Sequence, residues 1–228
     1  MSGTNHSEIQ ALIDVSARLG RDPLLVQAGT GNTSVKLDGV LWIKASGKWL
    51  AHAAREEILV PVDLVEIKSC IQRKTDFVAQ PSEHKLVPSI ETAMHAVVPL
   101  SAIIHVHSVN TIAWAVREDG PAHLADRLAG LRWQWIPYVG SGLPLAREVE
   151  KTFSNSPQTE ILVLGNHGLV RIGMAFAGSR SSARSVDGCN LPNDSRRGDS
   201  LSLPGNLLGT EHRCIGLLVA GVRSHRAT

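Results

Sequence analysis

Apolar positions first recur at helical spacing between residues 7 and 19, where Ile9, Leu12, Ile13, Ser16 and Leu19 share one face. Ser7 and Gln10 stand as a capping box at its start, and Asp22-Pro23 stops it. The pattern predicts a helix over residues 7–19. Two short β-type runs follow, 33–37 and 40–44, joined by Asp38-Gly39. A type I′ turn needs positive φ at both central residues, so Asp-Gly between such runs predicts a hairpin. Residues 58–62 read as a strand and 63–73 as a helix. Pro88-Ser89 opens a short helix with Ser89 as N-cap, and Pro99 closes it. Residues 102–107 form a buried strand, followed by a helix capped by Ser108 or Asn110. Strands at 133–138, 160–164 and 169–172 and a helix at 144–153 complete the order, with Asn166-His167-Gly168 as a tight turn. Helices and strands interleave while hairpins also occur, which predicts an α/β sandwich with a mixed or antiparallel sheet.

After Gly173 the pattern stops. Residues 174–228 hold seven Arg and no Lys, with eight Ser and seven Gly. The apolar stretch at 214–222 has no period. This reads as an irregular tail that buries too little apolar surface to offset chain entropy. The division expected is residues 1–173 as the folded domain and 174–228 as an atypical tail. A shifted reading frame of a GC-rich gene would give such a switch; a lineage-specific tail is the alternative.

Composition narrows the class. The 228 residues suit one domain, are 43% apolar and 19% charged, and exclude collagen-like, coiled-coil or wholly disordered chains. Lys and Arg number 23 against 21 Asp and Glu, so no basic field points to nucleic acid. Three scattered cysteines without a CxxC pair argue against a disulfide framework or thiolate zinc site. No secretory signal opens the chain, and the apolar stretch at 94–109 is too broken to span a membrane, so the expected location is cytoplasmic. Ten histidines against one tyrosine turn attention to metal.

His105-Val106-His107 places two imidazoles on one face of a strand, as two ligands of one ion would sit. The same spacing fits two core histidines bonded to backbone. His167, in a tight turn between apolar strands, faces a cleft or simply tolerates an unusual φ. Glu91, in a first helical turn, either serves chemistry or complements the helix dipole, and pairs with His95 one turn on. The glycine-rich turn Gly29-Thr30-Gly31-Asn32-Thr33-Ser34 and the segment Ala45-Ser46-Gly47-Lys48 offer amides and hydroxyls for a phosphate, although neither is a Walker A or Rossmann motif.

In this order, Gly31-Asn32-Thr33-Ser34, Ser46-Gly47, Ser89-Ile90-Glu91, His105-Val106-His107 and His167-Gly168 resemble the class II (zinc-dependent) aldolase and adducin family over about residues 8–173. The Thr-Ser-Val-Lys and Leu-Trp-Ile-Lys segments are most similar to the aldolase half of bifunctional aldolase/short-chain dehydrogenase proteins. The resemblance implies an α/β/α sandwich with a mixed, largely antiparallel central sheet. It implies that His105, His107 and His167 hold Zn²⁺ or another divalent metal. Glu91 takes the place of the proton-shuttling glutamate, expected in an apolar pocket with its pKa raised. Gly31, Asn32, Ser46, Gly47 and Ser89 match positions that bind the substrate phosphate. The activity implied is aldol cleavage of a phosphorylated sugar through a metal-stabilised enediolate, a carbon–carbon lyase reaction. A decarboxylase, epimerase or dehydratase on the same scaffold, or an inactive adducin-like or truncated module, are the alternatives. The implied partner is a small sugar phosphate, with no nucleic acid or membrane, and the implied assembly is a homo-oligomer, a tetramer in the family.

Departures from the family are specific. Ile90 stands where a second serine is common, the interval from Glu91 to His105 is short, and the family's tyrosine proton donor has no clear counterpart, Tyr138 being the one tyrosine. The long helix expected after His167-Gly168 is not written in the tail.

Overall fold

The computed structural model describes residues 3–75 and 86–176, and the statements below concern those. The tail from residue 177 onward lies outside them. Helix α1 (Gly3–Leu19) leads through a loop to β1 (Asn32–Leu37) and β2 (Val40–Lys44). A 3₁₀ turn at Leu50–His52 precedes β3 (Leu59–Asp63) and α2 (Leu64–Arg73). Then come α3 (Thr92–Val97), β4 (Ala102–Val106), α4 (Val109–Ala115) and α5 (Gly120–Arg127). The order closes with β5 (Trp133–Ile136), α6 (Leu143–Asn155), β6 (Ile161–Leu164) and β7 (Gly168–Gly173).

The seven strands form one sheet in the order β3-β2-β1-β4-β7-β6-β5. Only β5 and β6 run parallel; the other neighbours are antiparallel, so the sheet is mixed as expected. Asp38 and Gly39, at φ 48° and 81°, join β1 to β2 as the Asp-Gly pair predicts. Central β4 is buried at every position, and its residues alternate between two cores. Ile104 and Val106 meet Leu12, Val15 and Leu19 of α1 on one face. Ile103 meets Met94 of α3 and Leu145, Val149 and Phe153 of α6 on the other. Ile67 and Ile71 of α2 cover Leu41, Ile43, Val60 and Val62 beside them. Helices thus lie on both faces, and no helix among the described residues is long and apolar enough to cross a membrane.

Local signals were displaced in four places. Helix α1 begins before Ser7, whose hydroxyl bonds the Thr4 carbonyl from within the helix instead of capping it. Helix α3 begins at Thr92, so Ser89 precedes it and Glu91 holds the N-cap position without capping. The helix after His107 is two helices: α4, capped by Ser108, and α5. Gly120 allows the break, because a Cβ there would stand 2.1 Å from the Trp114 carbonyl oxygen. Finally, Phe176 is fully buried and its N–H is held by Glu8 at 2.8 Å, so packed structure continues past residue 173.

Candidate metal centre

His105 lies in β4, and His107 one residue beyond its end. Both flanking strands approach that end through glycine. Gly31, with φ +63°, would carry a Cβ 2.9 Å from the His105 carbonyl oxygen, and a Cβ on Gly168 would stand 2.5 Å from that of Val106. A larger residue at either position would push the neighbouring strand away. Gly168 thereby brings His167 beside the other two histidines. The three rings meet edge to face with centroids 4.9–5.1 Å apart. One nitrogen from each lies within 4.8 Å of the others, close enough to share one ion.

The surroundings orient these rings. His105 is fully buried, and its Nδ1 lies 3.1 Å from the Leu169 carbonyl oxygen. A carbonyl only accepts, so Nδ1 carries the proton and Nε2 presents its lone pair to the other histidines. Burial lowers the His105 pKa, and burial with neighbouring His105 and His167 holds His107 down at about 4. Neutral imidazoles are what a divalent metal requires.

Glu91 reaches across the group. Its Oε1 is 3.0 Å from His167 Nε2 and its Oε2 3.3 Å from His105 Nε2. Asn32 Nδ2 donates to Glu91 Oε2 at 2.7 Å and to Ser89 Oγ at 3.0 Å. Burial pushes the Glu91 carboxyl up, yet His105, His167 and the Asn32 amide outweigh it and hold the group below the usual carboxylate range. The raised pKa implied by the resemblance is therefore not found. The pocket wall is imidazole and carboxamide, not hydrocarbon.

The donor set fits a metal. His105 Nε2 has no hydrogen-bond donor, and it faces a carboxylate oxygen that is also an acceptor. A cation among three imidazoles and one carboxylate resolves that juxtaposition, and such donors suit zinc and its neighbours.

Gly31, Asn32, Ser46, Gly47, Ser89, Glu91, His107 and His167 line one cavity of about 220 Å³, with His105 buried behind its wall. Of the nine residues that the resemblance assigns to the site, eight line this cavity and His105 packs against Glu91 behind them. Ile90, 72% exposed, stands at the rim where the family often has serine. Sequence reasoning passed over Lys44 and Ser141, which also line the cavity. Lys44 Nζ donates to the carbonyl oxygens of Gly29 and Lys48, both at 2.8 Å, and so ties the two loops together. Burial lowers its ammonium to about 8, against the pull of Glu91. The available signal was a lysine closing a buried strand just before Ser46-Gly47. Lys48 turns instead to Glu56 at 3.3 Å. His95 does not pair with the Glu91 carboxylate: its Nδ1 is 2.7 Å from Ser34 Oγ.

Comparison with known proteins agrees with this geometry. The model of the class II aldolase and adducin N-terminal domain matches residues 10–185. The chain belongs to that family. A Bacillus subtilis relative, the uncharacterized oxidoreductase YuxG, is 29% identical over 184 residues, covering 72% of this chain. The match spans 26% of YuxG, about a quarter of its length. Among solved structures, the N-terminal class II aldolase domain of a conserved Thermoplasma acidophilum protein superposes with a TM-score of 0.62 at 24% identity, covering 74% of this chain and 84% of that one. A sugar-phosphate aldolase from Thermotoga maritima gives 0.55 at 15% identity, over 75% of this chain and 86% of its own. At such identities these two structures establish the class II aldolase fold.

Proposed function

We propose that this family member is a divalent-metal-dependent lyase that cleaves a carbon–carbon bond in a phosphorylated sugar. The observation that carries the reading is the Glu91 carboxylate, poised 3.0 and 3.3 Å from two of three clustered histidines at the wall of a polar cavity. His105, His107 and His167 would hold the metal, whose charge supplies Lewis acidity toward a substrate carbonyl. Glu91 moves the proton. One carboxylate oxygen is steadied by Asn32, and the other lies on the His167 side, where His107 and His167 open to the cavity. The Ser46 and Ser89 hydroxyls, the Gly31 and Gly47 backbone and the Lys44 ammonium gather on the same cavity and suit a phosphate. The Asn32 amide donates to Glu91 and Ser89 together, and so couples the phosphate side to the proton-transfer side.

The partner is then a small sugar phosphate, and assembly as a homo-oligomer belongs to the same proposal. Metal analysis of purified protein is the first test: folded protein without near-stoichiometric divalent metal would sink the reading. A panel of phosphorylated ketoses, followed for release of dihydroxyacetone phosphate, is the second. Turnover in that panel by decarboxylation, epimerisation or dehydration instead would keep the metal site and replace the reaction.

A further inference from the structure

Helix α3 carries Glu91 at its N-cap and contains only six residues. A helix that short has no stability of its own in water, so its place is set by what it packs against. Strand β1 touches it at three successive levels. Asn32, Ser34 and Lys36 alternate along the strand and therefore share one face. Asn32 Nδ2 binds the Glu91 carboxylate, and Ser34 Oγ meets the His95 ring in the middle of the helix. Lys36 Nζ donates to the carbonyl oxygens of Ala96, at 3.1 Å, and of Val98. Those carbonyls belong to the last turn, where helical partners run out and Pro99 prevents continuation.

We propose that Lys36 is a positioning residue for Glu91. It clamps the C-terminal end of α3 to β1, so that the N-terminal end holds the carboxylate against Asn32 and the histidines. Lys36 itself does not line the cavity around Glu91. The choice of lysine has a physical reading. Burial, with Lys68 nearby, lowers its ammonium to about 7, so the site resists a cation and an apolar side chain would pack there at less cost. Lysine supplies what an apolar residue lacks: two donors for two terminal carbonyls, and a charge matched to the negative end of the helix.

The consequence for turnover rests on the proton-transfer role given to Glu91; the clamp itself is tested without substrate. Lys36→Met and Lys36→Arg are compared with the parent protein by nuclear magnetic resonance. The Asn32 side-chain amide reports its bond to Glu91, and the His95 backbone amide, bonded to the Glu91 carbonyl at 3.1 Å, reports the first turn of α3. In Lys36→Met the Asn32 amide resonances are expected to move and His95 amide exchange to quicken at least tenfold, while the thermal midpoint holds or rises. Lys36→Arg, which keeps charge and donors, is expected to return both signals toward the parent. Turnover should fall about 10- to 100-fold with KM little changed, the scale of a misplaced catalytic group. Unmoved Asn32 and His95 signals in folded Lys36→Met would overturn the clamp. So would a matching loss of global stability that arginine does not restore. If Lys36→Met fails to fold, Lys36→Gln is read in the same way, and failure of both shows a role in folding instead. Clamp signals as expected with turnover intact would leave the clamp standing and remove the role assigned to Glu91.

Discussion

Nε2 of His105 and Oε2 of Glu91 face each other across 3.3 Å as two acceptors, because the single ring proton sits on Nδ1 and is donated to the Leu169 carbonyl. A divalent cation held by His105, His107 and His167 would relieve that opposition. Nitrogen-15 resonances of the metal-free protein are therefore expected to show Nδ1 of His105 protonated, and Zn²⁺ to shift Nε2 while Nδ1–H remains. His107→Ala should lower metal affinity by more than the 10- to 100-fold, roughly, that loss of an outer-shell partner brings. Full metal content in that variant would remove His107 from the ligand set.

Glu91→Gln separates metal holding from proton transfer. The carboxamide keeps the shape of the side chain and an acceptor for Asn32 Nδ2. The fold and bound metal are expected to persist while turnover drops about 10²-fold or more, the usual range for a lost general acid/base. Unchanged turnover would return Glu91 to a structural role at the head of α3.

Lys36 predicts how stability varies with pH. Its pKa is lowered from 10.5 to about 7 by burial and then by Lys68. Between those values the unfolded chain binds more protons than the folded one, so the contribution to stability rises with pH from about 7 toward 10.5. Below about 7 both states are charged, and the full cost of burying the cation is present. The denaturation midpoint should thus climb between pH 7 and 9 in the parent protein and climb less in Lys36→Met. Parallel curves for the two would show that Lys36 is charged equally in both states.

Some of this architecture was legible because its cause is local. Asp38-Gly39 dictates its own turn, and the short apolar run in 102–107 marks a buried strand. The metal residues were legible as ordered motifs, not as geometry: nothing near His167 states that β7 pairs with β4. What was missed depends on contacts distant in sequence. Asn32, Ser34 and Lys36 find their partners 57 to 62 residues away. Ser7 and Ser89 read as caps because serine hydroxyls suit that role; the Ser7 hydroxyl turns back to the Thr4 carbonyl inside a helix that starts earlier, and the Ser89 hydroxyl, just before α3, accepts from the Glu91 N–H at 3.3 Å and from the distant Asn32 amide at 3.0 Å. Helical spacing pairs His95 with Glu91, yet Ser34 on the facing strand lies 2.7 Å from its ring. The split between α4 and α5 turns on Gly120 against the Trp114 carbonyl, a contact that periodicity does not carry.

Lys44 gives the last prediction. The residue is 2% exposed, and its ammonium bonds two carbonyls while lining the cavity that holds Ser46, Ser89 and Glu91. Lys44→Met keeps most of the volume and removes the charge and both bonds. Inorganic phosphate, titrated calorimetrically into metal-loaded protein, should bind about 10- to 100-fold more weakly, the scale of one charge-assisted hydrogen bond. The pH dependence separates charge from shape. Burial lowers Lys44 to about 8, so the cation is present at neutral pH and lost as pH rises through that value. Phosphate affinity of the parent protein is therefore expected to fall between pH 7 and 9. Lys44→Met, already weak, should show no such fall, and Lys44→Arg should stay level because a guanidinium remains charged. An affinity that stays constant over that range in the parent would show that phosphate does not feel Lys44. The residue would then be a tie between the Gly29 and Lys48 loops and nothing more.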